Sequence, residues 1–488
     1  MGRDNIEVKL LMAESLKKKT AKGVIWSSVE RFSVQGVQFL VMLVIARILD
    51  PKDFGLVGML AVFLAVAQSL IDSGFSQALI RKQGRTDVDN CTVFYFNIVV
   101  SLFLYFVLFA IAPWVAAFYE EPQLTDLMRV LCLVVVINSF AVVQRAIYTA
   151  TINFKTQAKA SFFAAIFSGV VGIIMAKTGY GVWSLVCQQI LNAFLNTCLL
   201  WIYSNWVPRF VFSKNSFVEL FSFGSKLLIS GLIDTIYCNL FPLIVGKIFS
   251  AASLGCYTQA ERFAKLPSSN ISGILQRVTY PVLCTLQEDD EKLRSNYRKL
   301  LRLSGFVVFP LMCLLAGLAY PIIDILLGEK WIFTATLLIP ICFNMMFYPI
   351  AAINLNLLQV KGRSDLFLKL EIIKKAIGIV VLICSIPFGL LFMCYSTVFS
   401  GLIMLYVNTY YTNKIIGVGF WMQLKDLKAF LMMSVLIFIG SYFAHLFVEN
   451  SLLEIILGFA ISFVIFVGTI KLCKFPEMSY LKMSLIHG

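Results

Sequence analysis

Of the 488 residues, 59% are hydrophobic and only 14% are Asp, Glu, Lys or Arg, where an average soluble domain carries about a quarter charged residues. A water-soluble fold of this size could not cover its surface with so little charge, so the composition excludes a soluble multidomain protein and points to a chain whose outer surface is lipid. Two histidines and twelve scattered cysteines, the closest pair being Cys384 and Cys394, leave little for imidazole bases or thiolate metal sites, and the phosphate-loop, dinucleotide and zinc-protease motifs do not occur.

Residues 1–22 are polar and basic, lack the apolar run of a cleavable signal, and read as a short cytoplasmic arm. Beyond them the chain is read for windows of roughly 20 apolar residues, the length a helix needs to cross about 30 Å of hydrocarbon. Such windows fall at about 24–49, 54–73, 91–118, 124–150, 158–176, 180–203, 217–247, 253–282, 303–327, 332–358, 367–388, 389–412, 427–447 and 453–472. They are too long for barrel strands and do not alternate, so an all-α polytopic membrane protein of about fourteen transmembrane helices is expected. The least certain division is at Ser385–Gly389, a tight uncharged turn. Of the 41 Lys and Arg, only Arg47, Lys52, Arg129, Lys177, Lys247, Arg262, Lys265 and Lys330 fall on one face of this arrangement. Cytoplasmic loops hold the excess of cations, which places both termini in the cytoplasm. The net charge of +14 is thereby accounted for by topology and calls for no nucleic acid.

An internal repeat appears at an offset of two hundred residues. Leu40, Leu43 and Ile48 recur as Leu240, Leu243 and Ile248, Lys247 answers Arg47, and Gly255 answers Gly55. Six spans separate the two starts, so the expected organisation is two parallel six-helix bundles, 23–205 and 206–412, followed by two additional helices and a tail over 413–488. A substrate path between such halves is a transporter pattern.

Ionisable groups inside apolar runs are costly and default to functional candidates. In chain order they include Glu30, Arg31, Arg47, Arg129, Arg145, Lys226, Asp234, Lys247, Arg262 and Arg277. Cations dominate, so the cavity they would line suits an anion with several oxygens, as guanidinium forks pair with phosphate. Arg31 and Lys226 are the leading cavity candidates. Other readings stay open: Arg129, Arg145 and Arg277 lie near a membrane face and can snorkel to head groups, Arg47 and Lys247 can cap helix C-termini, and Glu30 can pair locally with Arg31. No metal site or cofactor is expected.

The segments Ala46–Gly55, Asp72–Arg81, Tyr257–Arg262 and Leu327–Trp331 resemble those of bacterial oligosaccharide flippases of polysaccharide biosynthesis, within the multidrug, oligosaccharidyl-lipid and polysaccharide exporter superfamily. The resemblance runs from about residue 15 to 410. It implies two six-helix bundles, commonly with two extra helices, and alternating access that carries a polyprenyl-diphosphate-linked oligosaccharide from the cytoplasmic to the outer leaflet of the inner membrane. The product would feed cell-surface polysaccharide or lipopolysaccharide synthesis alongside glycan assembly enzymes. Cavity cations that hold the diphosphate fall by position on Arg31, Lys226 and Arg262, and Glu30 and Asp234 are the carboxylates through which H⁺ or Na⁺ would couple. A drug or metabolite antiporter of the same superfamily is the alternative; a membrane glycan polymerase or ligase would want a large outer loop, and the connectors are short.

Overall fold

The computed structural model describes residues 32–72, 74–82, 84–473, 475 and 477. The arm over 1–22, Glu30 and Arg31 therefore lie outside the described residues, and Arg277 is described in its backbone alone. Every regular element among the described residues is helical: α1 (Phe32–Ile48), α2 (Pro51–Asp72), α3 (Phe75–Arg81), α4 (Asp87–Tyr119), α5 (Leu124–Leu131), α6 (Leu133–Ser139), α7 (Val142–Ala150), α8 (Phe154–Lys177), α9 (Val182–Tyr203) and α10 (Lys214–Ile248). There follow α11 (Ala251–Thr285), α12 (Asp290–Gly317), α13 (Ala319–Leu327), α14 (Ile332–Met345), α15 (Tyr348–Val360), α16 (Ser364–Ser385), α17 (Leu390–Ile416), α18 (Phe420–Tyr442) and α19 (Ser451–Cys473).

Helices stand at every window expected from the sequence. Among the described residues ten are long and apolar enough to cross a membrane, or eleven when the bent pair Leu124–Ser139 and Val142–Ala150 counts as one span. The windows outside that count have visible reasons. α11 holds Glu261, Arg262, Lys265 and Arg277, α16 holds Asp365, Lys369, Glu371, Lys374 and Lys375, and α1 is described only from Phe32. The uncharged turn between α16 and α17 is present, with Gly389 at φ 90 supplying the left-handed backbone that a side chain would resist.

The chain divides into two compact units, one reaching Gly255 and one starting at Cys256. In the first, α8 packs on α9 more extensively than any other pair, and its buried face is nearly all small: Ala158, Ala160, Ala164, Ala165, Ser168, Gly169, Gly172 and Ala176. Small residues let helix backbones approach where lipid supplies no hydrophobic drive. A Cβ on Gly169 would stand 2.5 Å from a Val41 methyl of α1. The 42° bend between α6 and α7 withdraws carbonyls from the helical ladder, and α9 supplies donors: Thr197 Oγ1 to the Ile137 carbonyl at 3.2 Å and Trp201 Nε1 to the Phe140 carbonyl at 2.9 Å. Freed backbone groups at membrane depth need such partners.

The second unit is organised around α12 against α18. At its centre Tyr297, Asn354, Thr412 and Gln423, from or beside four helices, form a buried polar cluster. The Tyr297 hydroxyl donates to Asn354 Oδ1, and Gln423 Nε2 reaches Tyr297 Oη at 3.0 Å, Asn354 Oδ1 at 3.1 Å and Thr412 Oγ1 at 3.3 Å. Nearby, Arg298 makes a bidentate pair with Asp426 at 2.6 and 2.7 Å, which ties the start of α18 to α12. Replacement of Gln423 by Leu removes the donor that three neighbours share and the acceptor of the Asn354 amide N–H, and an unmet buried polar group costs about 1–3 kcal/mol. Thermal unfolding of the purified variant in detergent is expected to shift downward by several degrees, and an unchanged midpoint would show the cluster to be energetically idle.

Candidate functional site

The candidate site is built on α10, which is anchored at both ends and accessible in between. Only Leu220, Gly224, Val245 and Gly246 of its residues are buried. Lys226, Ser230, Asp234 and Tyr237 follow one another at helical spacing and share a face. Lys226 and Asp234 are exposed. At about 1.5 Å per residue, Lys226 lies about 18 Å and Asp234 about 30 Å from the start of the helix, well within membrane depth. Charges at that depth avoid hydrocarbon, so this face fits a water-filled space.

At the Lys214 end, α10 is held by α2–α4. Gly224 and Gly74 meet backbone to backbone, a Cβ on Gly74 falling 2.8 Å from the Gly224 carbonyl oxygen. Beside them Lys82 Nζ pairs with Glu219 Oε2 at 2.8 Å and with Asp89 Oδ1 at 3.0 Å. Hydrogen bonds to Glu219 and then Asp89 hold the Lys82 ammonium above the usual lysine value. Arg81 lies over the Phe223 ring at 4.3 Å.

At the Ile248 end, Lys247 Nζ donates to Glu120 Oε1 at 2.8 Å and stands 5.3 Å from the Phe118 ring centre. Lys52 pairs with Glu121 at 2.9 Å. Past the helix end the chain crosses the start of α2 so closely that a Cβ on Gly55 would stand 1.6 Å from the Ala251 carbonyl oxygen, and one on Gly255 would stand 1.9 Å from that of Pro51. The two contacts are each other displaced by two hundred residues, 51 with 255 and 55 with 251.

A second polar row runs through the first unit. Arg145, half-buried just past the bend, donates to Asn138 Oδ1 at 3.3 Å, and Asn138 Nδ2 donates to Gln68 Oε1 at 3.2 Å. The Arg145 carbonyl accepts from Gln157 Nε2 at 3.1 Å. Arg47 is exposed in the last turn of α1. In the second unit, Arg262 is exposed on α11 beside Glu261, whose carboxylate takes Lys265 at 2.8 Å. Lys226 and Asp234 are thus brought onto one face, Lys247 is engaged at the far end of the same helix, and Arg145 is joined to two amides. The Lys82, Glu219 and Asp89 cluster and the Gln68–Asn138 link escape a reading that follows formal charge in spans. Amides inside apolar runs would have pointed to the link. No group of three or more metal-ligating side chains occurs among the described residues.

A family model described as polysaccharide biosynthesis protein matches residues 44–336. The chain belongs to the polysaccharide biosynthesis protein family. Family relatives include the teichuronic acid biosynthesis protein TuaB of Bacillus subtilis, 26% identical over 72% of this chain and 73% of that one. The lipopolysaccharide biosynthesis protein WzxC of Escherichia coli is 25% identical over 74% of each chain. Among solved structures, the lipid II flippase MurJ in an inward closed conformation aligns with a TM-score of 0.76 at 14% identity, over 92% of this chain and 99% of that one. A multidrug resistance MATE transporter of the MOP superfamily aligns at 0.59 and 14% identity, over 80% of this chain and 98% of that one. This family member therefore has a fold like those of MurJ and MATE proteins, in a multi-pass membrane protein.

Two predictions follow from the α10 anchors. Gly55→Val forces backbone apart at the crossing, an overpacking that costs about 1–3 kcal/mol, and is expected to lower the thermal midpoint in detergent; Gly36→Ala, which adds a methyl inside α1 where nothing stands within 4 Å, is the control that does not lower it. The Lys247 hydrogen bond holds the Glu120 carboxyl below the usual carboxylate range. A depressed folded value contributes stability above the unfolded value and loses it as pH falls through the folded one. Acidification is therefore expected to destabilise the wild type by more than Glu120→Gln, read as the difference between their midpoints across about pH 5 to 3.

Proposed function

We propose that this family member is a flippase that moves a polyprenyl-diphosphate-linked oligosaccharide from the cytoplasmic to the outer leaflet for cell-surface polysaccharide synthesis. The observation that supports it most directly is the accessible face of α10, with Lys226 and Asp234 at membrane depth between two anchored ends. Such a face gives a doubly anionic head a route past hydrocarbon while its polyprenyl tail remains in lipid. Lys226, Arg262 and, from the sequence, Arg31 are the cations assigned to the diphosphate. The names of the relatives, which concern teichuronic acid and lipopolysaccharide biosynthesis, agree with glycan cargo. The excess of cations over carboxylates favours an anion above the cationic drug of an antiporter. The chain acts as a transporter and carries out no covalent chemistry.

The arrangement proposed is fourteen spans, two matched six-helix blocks over 23–205 and 206–412 plus a terminal pair, in the bacterial inner membrane with both termini cytoplasmic. The reciprocal contact of Pro51 with Gly255 and Gly55 with Ala251 supports the repeat. Alternating access would break the two anchors of α10 in turn, one end at a time. The membrane potential assists outward movement, each negative charge gaining about 2.3 kcal/mol per 100 mV.

In vesicles reconstituted with lipid-linked oligosaccharide, the wild type is expected to translocate cargo. Lys226→Ala and Arg262→Ala should each lose most of the rate, with the protein still folded by thermal midpoint. Full rates in both variants would remove the cavity assignment. The same vesicles read ion coupling through Asp234: collapse of a proton or Na⁺ gradient at clamped potential slows a coupled carrier and leaves an uncoupled one unaffected.

A further inference from the structure

The first unit contains a cavity of about 700 Å³ that the transport reading leaves unused. It opens where α7 and α9 end and α4 begins, walled by Asp87, Tyr148, Asn153, Asn205, Trp206 and Arg209 among others. Its floor is the connector 204–213, held across α4 by two backbone donors: Arg209 N–H to Cys91 Sγ at 3.3 Å and Ser213 N–H to Thr92 Oγ1 at 3.1 Å. Phe210 stacks on Tyr95 at 5.7 Å and Trp206 meets Phe94 edge-on at 5.8 Å, so the connector is a fixed wall.

The wall chemistry is specific. Aromatic rings from Tyr148, Tyr203 and Trp206 alternate with the amides of Asn153 and Asn205 and the hydroxyls of Thr151 and Ser204. The carboxylate of Asp87 offsets the guanidinium of Arg209, so the cavity lacks the cation cluster a phosphate asks for. The buried Trp206 indole N–H has no hydrogen-bond partner, and the Tyr148 hydroxyl lies near Ser204 without a bond of sound geometry. Between two wall residues, Thr151 and Asn153, Ile152 sits at φ 58, a left-handed backbone that a β-branched residue resists. Strain of this kind persists where surrounding structure over-determines it, commonly at ligand sites.

From rings that offer faces to C–H groups, amides and a carboxylate that fork onto neighbouring hydroxyls, and a volume inside the about 300–1,000 Å³ range of ligand sites, we propose that this cavity binds sugar rings of the cargo. This rests on the flippase reading and adds to it a glycan-selective site separate from the α10 face. The diphosphate would be read on α10 and the glycan at the cavity, so cargo lacking sugar would lose this second contact.

Binding is measured in lipid nanodiscs with two probes: lipid-linked oligosaccharide extracted from the cells that make the protein, and sugar-free undecaprenyl diphosphate. Trp206→Ala and Asn153→Ala are expected to raise the Kd for the glycan-bearing lipid about tenfold and leave that for the sugar-free lipid unchanged. Trp206→Phe, which keeps a ring, should retain most of the affinity and guards against a folding artefact. Unchanged affinity of all variants for the glycan-bearing lipid overturns the proposal. So does an equal loss for both lipids, or displacement by phosphatidylglycerol, which would make the cavity a head-group site. A wild type that binds neither probe refutes the flippase reading itself.

Discussion

Hydrocarbon offers no partner to a polar group, so each charge, amide and broken carbonyl in these helices must be met by protein or by water. The structure answers that demand in two ways. Where the polar group is structural, the partner comes from a neighbouring helix. Thr197 and Trp201 satisfy the carbonyls that the bend between α6 and α7 releases, and Gln423 collects three buried neighbours in the second unit. Where it is left exposed, as with Lys226 on α10, the same demand becomes an argument for water inside the membrane-spanning region.

α10 combines firm ends with an uncovered middle. Both ends pair a backbone-to-backbone glycine approach with ion pairs near the helix terminus: Gly74 and Gly224 with Lys82 and Glu219 at one, Gly55 and Ala251 with Lys247 and Glu120 at the other. Exposed ion pairs contribute little each, on the order of 0–1 kcal/mol, and can exchange partners with water at small cost. Glycine contacts bury little area. Anchors made of such elements hold a helix in place without a large buried area at either end.

The second unit contrasts with this. Its α12–α18 pairing carries fully buried Phe309 and Phe430, the polar cluster about Tyr297 and the Arg298–Asp426 pair, and Arg302 of α12 pairs with Glu477 beyond α19. A buried carboxylate that loses its guanidinium is costly, so the Arg298–Asp426 pair resists separation of α18 from α12.

The sequence by itself determined the membrane class, the helical state and the places of the ten or eleven long apolar helices, because a bilayer requires runs of fixed length and those runs are written in order along the chain. The turn at Ser385–Gly389 and the family resemblance were legible for the same local reason. The charged residues were also legible, but their roles were not: Lys226 and Lys247 are both single lysines on one apolar helix, and the difference between an accessible face and a pairing with Glu120 comes from α4, more than a hundred positions away. That Gly55 and Gly255 meet across one crossing is likewise not written in either local stretch of sequence. Burial, pairing and cavity walls depend on which distant helix lies alongside, and that adjacency is decided by tertiary packing.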